Sequence, residues 1–244
     1  MPEVEGAGVA LHYAERGDGR ALLIVHGMAS DARAWEPALG ELASAGARAI
    51  AYQRRGYGSS GAPQPYTATT VQEQSEDAAA LLEALDAVPA VLVGDGFGAL
   101  VVLELLVRRP ELATAAVLAD PPLHAFVPEA TKALAVERTL LERALRDGGP
   151  ADAVEAWLGA GAAAQDVQRA RASYVGFFAD YAGQSSWSPA RRELRAIGVP
   201  VAVVTGPSSA PHVVAAADAV TALLADARRS SDGDVVAAAR ALLA

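Results

Sequence analysis

The chain contains no cysteine. That excludes a disulfide framework, a thiol nucleophile and a zinc site held by thiolates. Histidine is scarce, with four residues, and Lys132 is the single lysine among 20 basic residues. Aromatic residues make up only 5%. No stretch approaches the roughly 18 consecutive apolar residues of a membrane helix. The opening Met1-Pro2-Glu3-Val4-Glu5 lacks the basic start and apolar core of a signal peptide, so a cytoplasmic protein with no membrane partner is expected. The net charge is −9, and the arginine pairs 54–55, 108–109, 191–192 and 228–229 are scattered along the chain. A phosphate-backbone binder needs a basic face, so no nucleic-acid partner is expected. No H-E-x-x-H, Asp-rich loop or His pair at metal spacing occurs, and neither a metal nor a cofactor is implied.

What is present is enough apolar material for one domain: 244 residues, 52% hydrophobic. Short β-branched runs alternate with longer helical patterns. Segments 8–15, 21–25, 48–52, 90–93 and 114–119 read as strands. Ala21–Val25 is continuously apolar, as suits a strand buried on both faces. Between the strands, Ser30-Asp31 can start a helix to about Ala43. Thr70 and Glu73 are spaced as a capping box for a helix over 69–85, and Pro110 closes a helix over 99–108. From 121 to 195 no strand is legible, and 128–147, 151–158 and 165–182 read as helices. Alternation resumes with strands at 199–205 and 227–231 and helices at 213–225 and 234–243. This order predicts an α/β protein with a mostly parallel sheet and helices on both faces. In such sheets ligands bind beyond the C-terminal strand ends. Those ends carry His26-Gly27-Met28, Gln53, Gly94–Gly98, Asp120-Pro121 and Thr205–Ser209.

These residues resemble a known family. His26-Gly27 after an apolar strand is similar to the oxyanion loop of the α/β-hydrolase fold. Arg54-Arg55-Gly56-Tyr57-Gly58-Ser59-Ser60 resembles its R-G-x-G-x-S turn. Val91-Leu92-Val93-Gly94-Asp95-Gly96-Phe97-Gly98 resembles its nucleophile elbow, G-x-Nu-x-G. The resemblance implies a core of residues 1–120 and 196–244 with a helical cap over 121–195. It implies oxyanion donors in the backbone N–H groups of Met28 and Phe97. The abundance of alanine and arginine suits a GC-rich genome such as an actinomycete's.

The family's chemistry does not carry over side chain by side chain. In the register set by Gly94 and Gly98, Gly96 occupies the nucleophile position, and glycine has no attacking group. The loop after the last strand, Ser230-Ser231-Asp232-Gly233-Asp234, holds no histidine where the family keeps its base. Asp120 fits the alternative place for the acid. The candidates left for proton transfer are Asp95, His124 and His26, with His212 as a partner for Asp95 in a displaced arrangement. In the cap, Tyr174, Phe177, Phe178 and Tyr181 follow i, i+3, i+4, i+7, one helix face, with Trp157 and Trp187 flanking. With Trp35, the four aromatics of that face and Trp187 are the expected lining for a small hydrophobic ligand.

The reading that uses most of these features is a non-hydrolytic enzyme of lyase, isomerase or cyclase type. It would act on a small hydrophobic metabolite, as in bacterial natural-product biosynthesis, through a retained oxyanion hole. Two alternatives stay open: a catalytically inactive homologue that binds a molecule or partner, and a hydrolase whose groups have moved, with Asp95 working alongside His124 or His212.

Overall fold

A computed structural model describes residues 1–128 and 130–243. Its sheet is built from β1 (Glu3–Glu5), β2 (Ala10–Arg16), β3 (Arg20–Val25), β4 (Ala47–Tyr52), β5 (Ala90–Asp95), β6 (Ala113–Ala119), β7 (Val201–Val204) and β8 (Ala227–Ser230). The spatial order is β1-β2-β4-β3-β5-β6-β7-β8. The first two strands pair antiparallel, as do β2 and β4; every other neighbouring pair is parallel. β1 has no periodic sequence signal because it is a short edge, held by pairing Glu3–Glu5 against Ala10–His12. The central strands are the continuous apolar runs: Leu22–Val25 and Val91–Val93 are almost entirely sequestered. Both faces of these strands therefore need helices.

Helices α1 (Glu36–Ser44) and α10 (Val235–Leu243) cover one face, with Leu39, Leu42, Ala239 and Leu243 packed on β3, β4 and β5. Helices α2 (Val71–Ala84) and α3 (Phe97–Arg108) lie on the other face, together with α8 (Arg191–Arg195) and α9 (Pro211–Leu223). The caps follow the sequence. Asp31 accepts from the Arg33 N–H at a single 3₁₀ turn before α1, and Thr70 accepts from the Glu73 N–H at the start of α2. The Glu73 carboxylate does not return to the Thr70 N–H as a capping box would. It accepts from Thr69 Oγ1 and pairs with Arg55.

Between β6 and β7 the chain forms α4 (Ala130–Gly148), α5 (Pro150–Leu158), α6 (Ala164–Ala172) and α7 (Tyr174–Gln184). Their own apolar centre joins Leu141, Ala153, Val154, Ala170 and Phe177 to Ala29 of the β3 loop. The single helix expected over 165–182 is two. At Ser173 the backbone leaves helical geometry (φ −104°, ψ 20°), and its hydroxyl donates back to the carbonyls of Arg169 and Ala170. The expected strands and helices outside this segment recur within a few residues of their read limits.

Candidate active site

The tight turn from β5 into α3 is built by steric necessity. β5 ends at Asp95, α3 begins at Phe97, and Gly96 between them has φ +52° and ψ −118°. A Cβ on Gly94 would lie 2.5 Å from the Gly98 carbonyl oxygen, and one on Gly98 only 2.0 Å from that of Val25. Helix and strands approach this closely because both positions are glycine. Gly96 differs: a Cβ there would meet nothing nearer than the Gly27 Cα at 3.8 Å. The Gly96 N–H donates to the Ala119 carbonyl at 2.9 Å, tying the turn to β6.

Above the turn is a cavity of about 530 Å³. Gly27, Met28, Gly96 and Phe97 form its floor, and His124, Trp157 and His212 stand in its walls. The Met28 and Phe97 N–H groups have no acceptor among the described residues, and both residues border this space. Phe97 is the first residue of α3, so its N–H also carries the positive end of the helix dipole. The Phe97 ring itself is buried against the Arg54 guanidinium, 4.9 Å from the ring centre.

Asp95 is half-buried at the cavity edge, and no hydrogen bond holds its carboxylate among the described residues. Burial, and then the Asp120 charge, push its pKa up to about 6. Asp120, at the end of β6 with φ +44°, accepts from Ser209 Oγ at 2.6 Å, and that oxygen in turn accepts from the Gly206 N–H. The His124 and His212 rings lie 5.4 Å apart. Burial, and then the charge of His212, lower the His124 pKa to about 4, so its imidazole is neutral near pH 7. Its Nδ1 is buried without a partner among the described residues.

Other sequence candidates lie elsewhere. His26 is not at the cavity. Its Nε2 accepts from the Arg54 N–H at 3.2 Å, which leaves the proton on Nδ1, 2.8 Å from the Gly27 carbonyl. Both ring nitrogens are consumed in fixing the loop, and burial followed by the Arg54 charge drives the pKa well below the usual histidine range. Tyr174 is 39% exposed on the surface. Phe177 is fully buried and acts as packing, edge-on to Trp157 at 5.1 Å and to Phe178 at 5.3 Å, and stacked on Tyr181 at 6.0 Å. One helix stripe spans more than one environment because α7 is covered on one side only. Tyr181 and Trp187 border a neighbouring cavity rather than the one above Gly96. Trp35 lines a shallow groove on the far side of Asp95. Sequence reasoning passed over Trp157 and Gln184 as lining. Trp157 carries the signal of an apolar helix position, and Gln184 carries none. Among the described residues no cluster of three or more His, Asp or Glu is placed to hold a metal, and no helix is long and apolar enough to cross a membrane.

A profile of the alpha/beta hydrolase fold matches residues 20–153, more than half of the chain. The chain belongs to the alpha/beta hydrolase fold family. It is 32% identical over 214 residues to the putative carbamate hydrolase RutD of Variovorax paradoxus, covering 85% of this chain and 77% of that one. It is 39% identical over 104 residues to an epoxide hydrolase of Caballeronia sordidicola, covering 43% of this chain. That match spans about a third (32%) of the epoxide hydrolase. Among solved structures, an alpha/beta hydrolase from Sphaerobacter thermophilus superposes with a TM-score of 0.78 at 21% identity, covering all of both chains. At that identity the likeness is one of fold alone. The Gly96 turn and the Gly27-Met28 loop are the segments whose sequences resemble the elbow and the oxyanion loop of that family.

Proposed function

We propose that this protein is an alpha/beta-hydrolase-fold enzyme that works without a covalent intermediate. It takes a small hydrophobic carbonyl compound and moves a proton on it, in chemistry of lyase, isomerase or cyclase type. The observation that carries this reading is the elbow. Its backbone is held in nucleophile-bearing geometry, the side chain is absent, and the two N–H groups beside it are unused. A carbonyl oxygen placed on Met28 and Phe97 gains negative charge as an adjacent proton leaves. Preorganised donors stabilise that charge by ~3 kcal/mol each. His124, neutral at pH 7, takes the proton with His212 beside it, and Asp95, partly protonated near pH 6, returns one.

A second reading draws support from the relatives, which are named as hydrolases of epoxides and carbamates. The slot open above Gly96 has room for a water where a serine hydroxyl would stand, and His124 would activate it. One experiment separates the two. Phenylacetone in D₂O is followed by NMR for exchange of its α-protons, and phenyl acetate and styrene oxide are followed in ¹⁸O-water. The proposal expects enzyme-dependent exchange, reduced about 100-fold in His124→Gln, with no hydrolysis above background. Hydrolysis without exchange establishes the second reading. Neither activity on these three compounds goes against both readings.

A further inference from the structure

The cavity above Gly96 has a neighbour. A second cavity of about 510 Å³ adjoins it, and the two share Pro122, His124 and Gln184. The neck is this shared boundary of three residues. The floor of the second cavity is aromatic and fixed. Trp187 is anchored by its ring N–H, which donates to buried Glu104 at 2.9 Å, and Tyr181 is stacked on Phe177. Leu134 and Ala135 of α4 face them across the space.

The neck carries polar atoms that nothing satisfies. His124 Nδ1 and Gln184 Oε1 are both buried without a hydrogen-bond partner among the described residues, as is the Trp157 ring N–H in the wall of the first cavity. Buried polar atoms are seldom left unpaired, and exceptions concentrate where a ligand or water completes them. Two such atoms on different elements, at the boundary shared by two cavities, have a plain chemical complement: a hydroxyl or amide in the middle of a ligand that spans both. A ligand bearing the group would pair both atoms, whereas an apolar chain would leave them unpaired and bind more weakly.

The geometry points to a two-compartment site that reads a tripartite substrate. A carbonyl sits over Gly96, a hydroxyl or amide is held at the neck by Gln184 and His124, and a flat apolar tail lies between Leu134, Tyr181 and Trp187. Gln184 is the specificity-determining residue. The inference rests on the proposed function for the position of the carbonyl, while its neck and tail depend only on binding.

Isothermal titration calorimetry tests it with a phenyl-terminated methyl ketone of six chain carbons, its hydroxylated regioisomers along the chain, and the same ketone without the ring. We expect one regioisomer to bind at least about tenfold tighter than the parent ketone. The ketone without the ring should bind about tenfold more weakly than the parent. In Gln184→Leu the advantage of the hydroxyl should fall to within about twofold, whatever happens to the parent. If that variant does not fold, the wild-type regioisomer series decides alone. Equal binding of all regioisomers, or an undiminished advantage in Gln184→Leu, overturns the inference, as does a ring that adds nothing. Discriminating binding without α-proton exchange would defeat the catalytic reading and leave the neck standing. Exchange without discrimination would do the reverse.

Discussion

Asp180 on α7 receives the Arg54 guanidinium through two hydrogen bonds, Nη2 to Oδ2 at 2.6 Å and Nη1 to Oδ1 at 3.1 Å, with both side chains fully buried. Tyr57 Oη at 2.5 Å and Gln74 Nε2 at 3.1 Å donate to the same carboxylate, so its lone pairs are used. Burial opposes the charge on Arg54, but the Asp180 carboxylate outweighs it and holds the guanidinium charged. Arg54 also donates to the His26 and Gly27 carbonyls at 2.9 and 3.1 Å. One arginine thus couples the helices after β6 to the loop that presents the Met28 N–H.

Removing Asp180 should therefore be far worse than removing an ordinary surface charge. Asp180→Ala leaves Arg54 buried and unpaired, which costs about 3–5 kcal/mol. For a chain of this size that is a fall in Tm of roughly 6–20 °C. Asp180→Asn, which keeps an acceptor, should lose less. Calorimetric melting checks both, and a loss below about 1 kcal/mol in Asp180→Ala would mean that water reaches the pair.

Gly96 and Gly98, two positions apart in one turn, should respond differently to substitution. Gly98→Ala places a methyl 2.0 Å from the Val25 oxygen and 2.9 Å from that of His26, both backbone. The helix must lift off the strand, and a loss above about 3 kcal/mol or insolubility is expected. Gly96→Ala has space and suffers only the backbone strain of φ +52°, on the order of 1–3 kcal/mol. Urea unfolding of the two variants measures the difference; equal losses would contradict it. Gly96→Ser should fold like Gly96→Ala and hydrolyse p-nitrophenyl acetate no faster than wild type, because the loop 231–234 holds no histidine. Brisk activity there would place His124 or His212 within reach of the new hydroxyl.

How much of this was legible in the sequence follows from how local each signal is. The central strands were readable because Leu22–Val25 and Val91–Val93 carry burial in their own composition, and the Gly94–Gly98 spacing encodes a close approach that only glycine permits. The Asp31 and Thr70 caps were readable for the same local reason. The aromatic stripe on α7 was readable as a stripe but not as a lining. Its spacing shows that four residues share a face and does not show what covers each, and that is decided by Trp157, fifteen or more residues away. His26 looked like a candidate base because its type is rare. Its role depends on the Arg54 N–H, which no spacing connects to it. Gln184, a polar residue at a helix end, stands out only because it lines two neighbouring cavities.

Asp95 and His124 should make stability depend on pH in opposite ways, and the signs can be worked out. The Asp95 pKa rises from 3.8 to about 6 on folding. Between these values the native state binds the proton more tightly than the unfolded chain, so stability falls as pH rises through the window and the loss is complete above about 6. Asp95→Asn should then be more stable than wild type at pH 8, by on the order of 1–2 kcal/mol once partial exposure is allowed for, and should show no advantage at pH 3.5. The His124 pKa falls from 6.5 to about 4. Here the unfolded chain binds the proton more tightly, so stability is complete above about 6.5 and lost as pH falls towards 4. His124→Gln should remove part of that acid sensitivity and change nothing at pH 8 through this route. Urea midpoints of the wild type and both single variants, taken from pH 3.5 to 8, give the two curves. An Asp95→Asn advantage that grows towards acid, or a His124→Gln advantage confined to pH 8, would show that the cavity does not bury these groups. The proton transfers assigned to them would then lose their electrostatic basis.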